Sequence, residues 1–214
     1  MKKHIKIDFV SDVSCPWCAI GLQSLETALQ QLEGELDASL TFQPFELNPQ
    51  MVPGGEDILE HLTRKYGSTS EQMEAARENI RARGAALGFT FNMDKRGRIY
   101  NTFNAHRLLH WAAAEGKQVE LKKALLSAYF TDGENPGDSA LLVRVAASVG
   151  LDATRAQAIL DSDEFAQEVR EHQRFYQQHG INSVPAIILN DQHLISGGQP
   201  PEVFAQALRQ IAGL

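Results

Sequence analysis

Cys15 and Cys18 are the only cysteines in a chain of 214 residues, and they stand three apart in Ser14-Cys15-Pro16-Trp17-Cys18. Before them, Ile5, Ile7 and Phe9 alternate with Lys6 and Asp8 up to Val10, which is the period of a β-strand. After them, Leu22, Leu25, Leu29 and Leu32 are spaced for one face of a helix that runs to about Glu33, with Gly34 as its stop. Two cysteines cannot build a disulfide framework. At a strand-to-helix junction in a reducing compartment they read as a redox-active pair or as half of a metal site.

Composition narrows the partners. An apolar fraction of 43% with mixed charges fits a globular protein able to bury one core or a compact domain carrying a large insertion. The net charge is −7, with no basic stripe, which argues against nucleic acid and anionic membrane surfaces. No apolar run of about 18 residues is present, so no membrane-spanning helix is expected. Met1-Lys2-Lys3-His4 leads straight into the first strand without the apolar stretch of a secretory leader, so a cytoplasmic location is expected.

Leu40 to Phe45 alternates again, and Pro44 pushes this second strand toward a sheet edge or its own end. One long helix between two strands makes a βαβ unit with parallel strands. From Asn48-Pro49 onward the pattern turns helical. Ser68-Thr69-Ser70-Glu71 has capping-box spacing for a helix to Gly88, and Asn101 caps one that passes Trp111 and stops at Gly116. Further helices are expected over Val119–Phe130, from Asp138 or Ser139 to Gly150, from Asp152, and over Glu164–His179. Ala186–Leu189 then reads as a buried strand. Asn190-Asp191-Gln192 turns it back into His193–Ser196, and Pro200-Pro201 opens a last helix to about Ile211. The order β-α-β, helices, β-β-α predicts an α/β, thioredoxin-like fold. Residues 1–48 and 180–214 form its discontinuous sheet domain, and 49–179 form an α-helical insertion domain.

The first sulfur of a pair opening a helix lies near unpaired backbone N–H groups and the positive end of the helix dipole, which favours its thiolate. Cys15 is therefore the expected nucleophile, and Cys18, one turn further in and more buried, the resolving thiol. Pro16 suits the first turn, where its missing N–H costs nothing. Trp17 offers an exposed apolar platform. With no cation in the motif, a less oxidising couple is expected than with histidine there. His106 and His110, four apart on a helix, could complete a zinc site with the cysteines, but the two ligand pairs lie too far apart in the chain for a small zinc site. No metal is expected. Val184-Pro185, directly before a strand, stands where this fold places a cis-proline whose preceding backbone is free to pair with an extended substrate.

These residues carry a family resemblance. Asp8 to Asp12, Cys15-Pro16-Trp17-Cys18, Phe45-Glu46-Leu47-Asn48-Pro49, Asn101 to Leu108, Val184-Pro185 and Ile195-Ser196-Gly197-Gly198-Gln199 follow in an order that resembles the DsbA-like thioredoxin superfamily, and within it the FrnE-like dithiol–disulfide isomerases. The resemblance implies a thioredoxin fold with a helical insertion, Cys15 as nucleophile, Cys18 as resolving thiol and a cis-Pro185. It also implies that the segment of Asn101 and His106 faces the cleft, where His106 shuttles a proton or orients substrate, unless it is simply hydrogen-bonded within the helical domain. Some FrnE-like proteins carry a second cysteine pair near the C-terminus, and this chain has none. The superfamily also includes glutathione-dependent kappa-class transferases and 2-hydroxychromene-2-carboxylate isomerases, which typically place serine where Cys15 stands.

Phe103 and Trp111 are expected in the core. Gly198 and Gln199 present backbone groups before a proline-opened helix, where a carboxylate could bind or a plain turn could lie. The expected function is a thiol–disulfide oxidoreductase or isomerase acting on protein or small-molecule thiols and disulfides. It needs no resident cofactor, and glutathione is its candidate co-substrate. The alternatives are a glutathione-dependent transferase or isomerase for small aromatic molecules, and a non-catalytic, chaperone-like binding module.

Overall fold

In the computed structural model, which describes residues 2–214, β1 (Lys3–Ser11) runs through the middle of a four-stranded sheet. Ile5, Ile7 and Phe9 are fully buried, as a central strand requires. β1 continues through α1 (Pro16–Gln31) to β2 (Leu36–Pro44), which pairs with it in parallel from Lys3↔Leu36 to Ser11↔Pro44. Pro44 is the last residue of this edge strand, where its lack of a donor breaks no ladder. β5 (Ala186–Leu189) pairs antiparallel with the other side of β1, and β6 (His193–Ser196) with β5, giving the order β2-β1-β5-β6. Asn190 and Asp191 turn this hairpin with φ of 51° and 59°, the left-handed pair that a tight hairpin turn needs. Pro201 opens α9 (Pro201–Ala212), which packs beside α1.

The inserted segment is helical apart from a ribbon of two residues on each strand. It comprises β3 (Glu56–Asp57), α2 (Ile58–Tyr66), α3 (Ser70–Ala86), β4 (Arg98–Ile99), α4 (Phe103–Ala114), α5 (Gln118–Phe130), α6 (Ser139–Ser148), α7 (Ala153–Leu160) and α8 (Ala166–Gln178). The capping box sits one residue later than the sequence spacing predicts. Thr69 accepts from the Gln72 amide at 3.2 Å, and the Gln72 side chain accepts from the Thr69 amide at 3.0 Å. Gly34 is not the stop of α1. The helix ends at Leu32, whose carbonyl takes the amides of Glu35 and Leu36, both at 2.8 Å.

The insertion shares the sheet's core. Ile7, Phe9, Leu22 and Leu25 form one buried cluster with Ile80, Phe91, Leu126 and Phe130. A second cluster joins Leu108, Leu121, Leu142 and Ile159 to Val13, next to the cysteine loop. Gly84 lets Phe91 of the first cluster pack against α3: a Cβ there would lie 2.3 Å from the Phe91 ring. Trp111 is in the second cluster as expected. Phe103 is only half-buried, its ring covered by the Arg170 guanidinium at 3.8 Å. The outer edge of β2 is covered by Gln118, which accepts from the Phe42 amide at 2.8 Å and donates to the Phe42 carbonyl at 3.0 Å. Among the described residues, no helix is long and apolar enough to cross a membrane.

Candidate active site

Cys15 is the residue that caps α1. Its backbone is extended, Pro16 takes the first helical position, and its sulfur accepts the Cys18 amide at 3.3 Å, where a serine oxygen commonly serves. The first turn holds no acidic side chain to oppose a thiolate. Both cysteines are free thiols and both are buried, Cys15 at 3% exposure and Cys18 at 1%. Burial, then the hydrogen bond and charge of Cys15, push the Cys18 thiol well above its ordinary value.

Val184-Pro185 is cis, and the Val184 carbonyl oxygen lies 3.7 Å from the Cys15 sulfur. The two residues line an open groove of about 770 Å³, together with Trp17, Arg83, Gly198 and Gln199. Gly198 lies so close to α1 that a Cβ would stand 2.8 Å from the Trp17 carbonyl, leaving room for glycine alone. Trp17 is half-buried rather than an exposed platform. The Arg83 guanidinium sits 5.1 Å from its ring and donates to the Gly198 carbonyl at 2.6 Å, so α3 of the insertion is latched to the groove's rim.

Two expected site residues lie elsewhere. Asn101 holds the start of α4, accepting the Phe103 amide at 2.9 Å, and does not line the groove. His106 is buried at 3% exposure, does not line the groove either, and approaches Asp12. The α4 face that carries it packs beneath the dithiol loop, against Val13, instead of opening to the groove.

The cations missing from the motif come from the insertion. Lys122 is 1% exposed, with its ammonium 5.4 Å from the Phe42 ring. Burial lowers its pKa, against the negative charges of Cys18, Asp12 and Cys15. Asp12 accepts the amides of Ser14 (3.2 Å) and Leu47 (2.7 Å), and His106 Nε2 stands 3.6 Å from its carboxylate, an ion-pair distance. Burial alone would raise the Asp12 carboxyl. The side-chain contact with His106 outweighs it first, then the bond from the Leu47 amide and the charge of Lys122, and together they hold the group below the usual carboxylate range. The dithiol therefore lies close to a buried polar layer that contains Lys122, Asp12 and His106.

The DSBA-like thioredoxin domain family matches residues 6–209. This chain belongs to the DsbA-like thioredoxin family. The probable DsbA oxidoreductase SCO1869 from Streptomyces coelicolor is 36% identical and superposes with a TM-score of 0.91, covering 98% of this chain and 91% of that one. The uncharacterized protein YwbO of Bacillus subtilis (strain 168) is 27% identical over 97% of this chain and 96% of its own. The cytosolic disulfide reductase DsbM from Pseudomonas aeruginosa, solved with GSH, shares the fold at a TM-score of 0.67 and 16% identity, covering 98% and 100% of the two chains.

Within this DsbA-like frame, sequence reasoning missed Asp12, Lys122 and Arg83 as parts of the site. One signal was available. Lys122 falls on the α5 stripe of Leu125, Leu126 and Tyr129, and a charge on an apolar face asks for a buried partner. Arg83 gives no such signal. Among the described residues, no group of three or more His, Cys, Asp or Glu side chains is placed to hold a metal, and His106 and His110 do not join the cysteines in one.

Proposed function

We propose that this DsbA-like protein is a dithiol thiol–disulfide oxidoreductase or isomerase. The observation that carries the reading is the Cys15 sulfur, held at the N-terminus of α1 by the Cys18 amide and facing the Val184 carbonyl across 3.7 Å. The Cys15 thiolate attacks a client disulfide. One client sulfur bonds to Cys15 and the other leaves as thiolate. Cys18 then loses its proton and attacks Cys15, and the second client thiolate departs. The client thereby gains two electrons and the enzyme holds the Cys15–Cys18 disulfide. The reverse sequence oxidises a client, and breaking one disulfide while forming another isomerises it. The groove beside Trp17 and Val184-Pro185 seats an extended client segment, with Gly198 and Gln199 at its rim; Pro16 does not line it.

A Cys18→Ser variant is expected to accumulate mixed disulfides through Cys15, visible by non-reducing electrophoresis and mass spectrometry. Cys15→Ser is expected to lose insulin reduction. If Cys18→Ser traps nothing and Cys15→Ser retains activity, the reading fails.

Glutathione is the reductant or small-molecule partner this reading favours. Its support is the likeness to a disulfide reductase solved with GSH, and a groove lined by the Arg83 guanidinium, whose charge suits a carboxylate. Turnover that survives loss of Cys18 while requiring glutathione would shift the assignment to a glutathione-dependent isomerase or transferase. Placement in the FrnE-like branch and in the cytoplasm belongs to the same proposal, and fractionation of the native host tests the location.

A further inference from the structure

α2 covers little apolar surface: Leu59 and Tyr66 on it are exposed, and His61 is its buried residue, at 6% exposure. Polar bonds hold the helix in place instead. The His61 ring lies 2.8 Å from a Glu56 carboxylate oxygen through Nδ1 and 3.0 Å from Asn48 Oδ1 through Nε2. Lys65, one turn on, donates to the same Asn48 oxygen at 2.7 Å and to the Leu47 carbonyl at 2.8 Å. An ammonium only donates, so the Asn48 atom it meets is the carbonyl oxygen and not the amide nitrogen. Glu56 is ionised, because its bonds to His61 and then to Arg64 hold the carboxyl below its usual range. Both ring nitrogens of His61 therefore face acceptors, and only the doubly protonated ring fills both bonds. Arg64 does not alter this, since its guanidinium lies 2.5 Å from Glu56 and 3.5 Å from Nδ1.

We propose that His61 is a positioning residue, an imidazolium clamp that locks α2 onto Leu47 and Asn48 and through them steadies the turn that carries Cys15. This inference rests on the oxidoreductase reading. The contacts run without a break. Leu47, whose carbonyl Lys65 holds, gives its amide to the Asp12 carboxylate at 2.7 Å. Asp12 takes the Ser14 amide on its other carboxylate oxygen at 3.2 Å and the Cys15 amide on its backbone carbonyl at 3.3 Å. Burial, and then the charge of the Cys15 sulfur, raise the Tyr66 phenol, so the end of α2 lies within reach of that charge.

The charges around the ring come from every neighbouring element. β3 supplies Glu56, α2 supplies Arg64 and Lys65, and Asp12 at the end of β1 lies beyond Leu47. Arg98 on β4 is turned to the Gly54 and Gly55 carbonyls, at 3.0 and 2.8 Å. A neutral imidazole carries one N–H, so loss of the second proton leaves one of the two oxygens facing a lone pair. The clamp is closed in acid, and its contribution is lost as pH rises and the ring gives up that proton.

The test compares the native protein with His61→Gln, whose uncharged amide serves one of the two acceptors. Insulin reduction is measured from about pH 5.5 to about pH 8, the span in which histidine titrates. The native kcat/KM is expected to exceed that of His61→Gln about fivefold in acid, part of what a hydrogen bond to a charged group is worth. The two should converge at the alkaline end. A deficit of the same size at every pH is the mark of packing alone and overturns the proposal. Amide exchange over residues 58–66, corrected for its intrinsic pH dependence, reads the clamp without activity. It should quicken about tenfold from acid to alkali in the native protein and not in His61→Gln. Glu56→Gln gives the neutral ring a donor, so exchange in that variant should stay slow in alkali. Native exchange that ignores pH while insulin is still reduced overturns the clamp alone. If exchange behaves as expected but the native protein reduces neither insulin nor glutathione disulfide, the oxidoreductase reading falls and the positioning role with it.

Discussion

Two hollows share no lining residue and differ in the groups that wall them. The larger, open one meets the dithiol through Trp17, Val184 and Pro185, and its polar surface includes the backbone of Gly197–Gln199. The smaller is reached between helices of the insertion and the edge of β2, and it is lined by His106, His110, His172 and Lys122. Backbone groups offer hydrogen bonds that suit any extended chain, whatever its side chains. Ionisable side chains can hold charge and exchange protons. Under the proposed activity, the contrast sets the binding of a client apart from the charge held near the sulfurs.

The most severe way to test that separation is at the sulfurs. Replacing Cys15 with Ala should remove disulfide exchange altogether in an insulin-reduction assay, leaving both hollows intact but idle. Next comes the charge on the cavity side. Lys122→Met keeps the volume of the side chain and removes the cation, so the thiolate loses a stabilising neighbour. Alkylation of Cys15 by iodoacetamide at neutral pH should fall about tenfold, equivalent to about 1.4 kcal/mol. Stability to urea should change little, because exchanging a buried charge for a packed apolar group is often neutral. Unchanged alkylation would mean that the charge beneath the dithiol does not reach the sulfur.

Asp12→Asn sharpens the same side through stability. The folded state holds the Asp12 carboxyl below its ordinary value, so ionisation stabilises the fold above the unfolded value, and that gain is lost as pH falls through the folded value. The substitution should cost about 1–3 kcal/mol in urea unfolding at neutral pH, and the gap should close below about pH 4. A gap that widened in acid would contradict this sign.

The smallest effect is expected at the groove. Arg83→Ala removes the latch over Trp17 and should lower kcat/KM for a protein disulfide about two- to fivefold, in keeping with an exposed cation–π contact. Cys15 alkylation should be untouched. A change in alkylation instead of in client turnover would show that Arg83 acts on the sulfur, not on the client.

Much of this arrangement could be read before any tertiary structure. The alternation of Ile5, Ile7 and Phe9, the helical spacing after Cys18 and the proline before Ala186 are local patterns. They define the sheet, the helix that carries the pair and the residue facing it. Caps were readable to within a residue, as the shift from Ser68 to Thr69 shows, because neighbouring hydroxyls compete for the same amides. The ribbon of Glu56–Asp57 with Arg98–Ile99 was not readable, since two-residue strands carry no period.

The sequence by itself determined the fold class, the placement of Cys15 and Cys18 at the start of a helix, and the position of Val184-Pro185, because each depends on residues adjacent in the chain. Only the tertiary structure decided what surrounds the sulfurs. Asp12, His106 and Lys122 come from a strand's end and two inserted helices, and Arg83 from a third. Their convergence follows from which helical faces bury against the sheet. That is a balance of packing across the whole molecule, and no single stretch of sequence contains it.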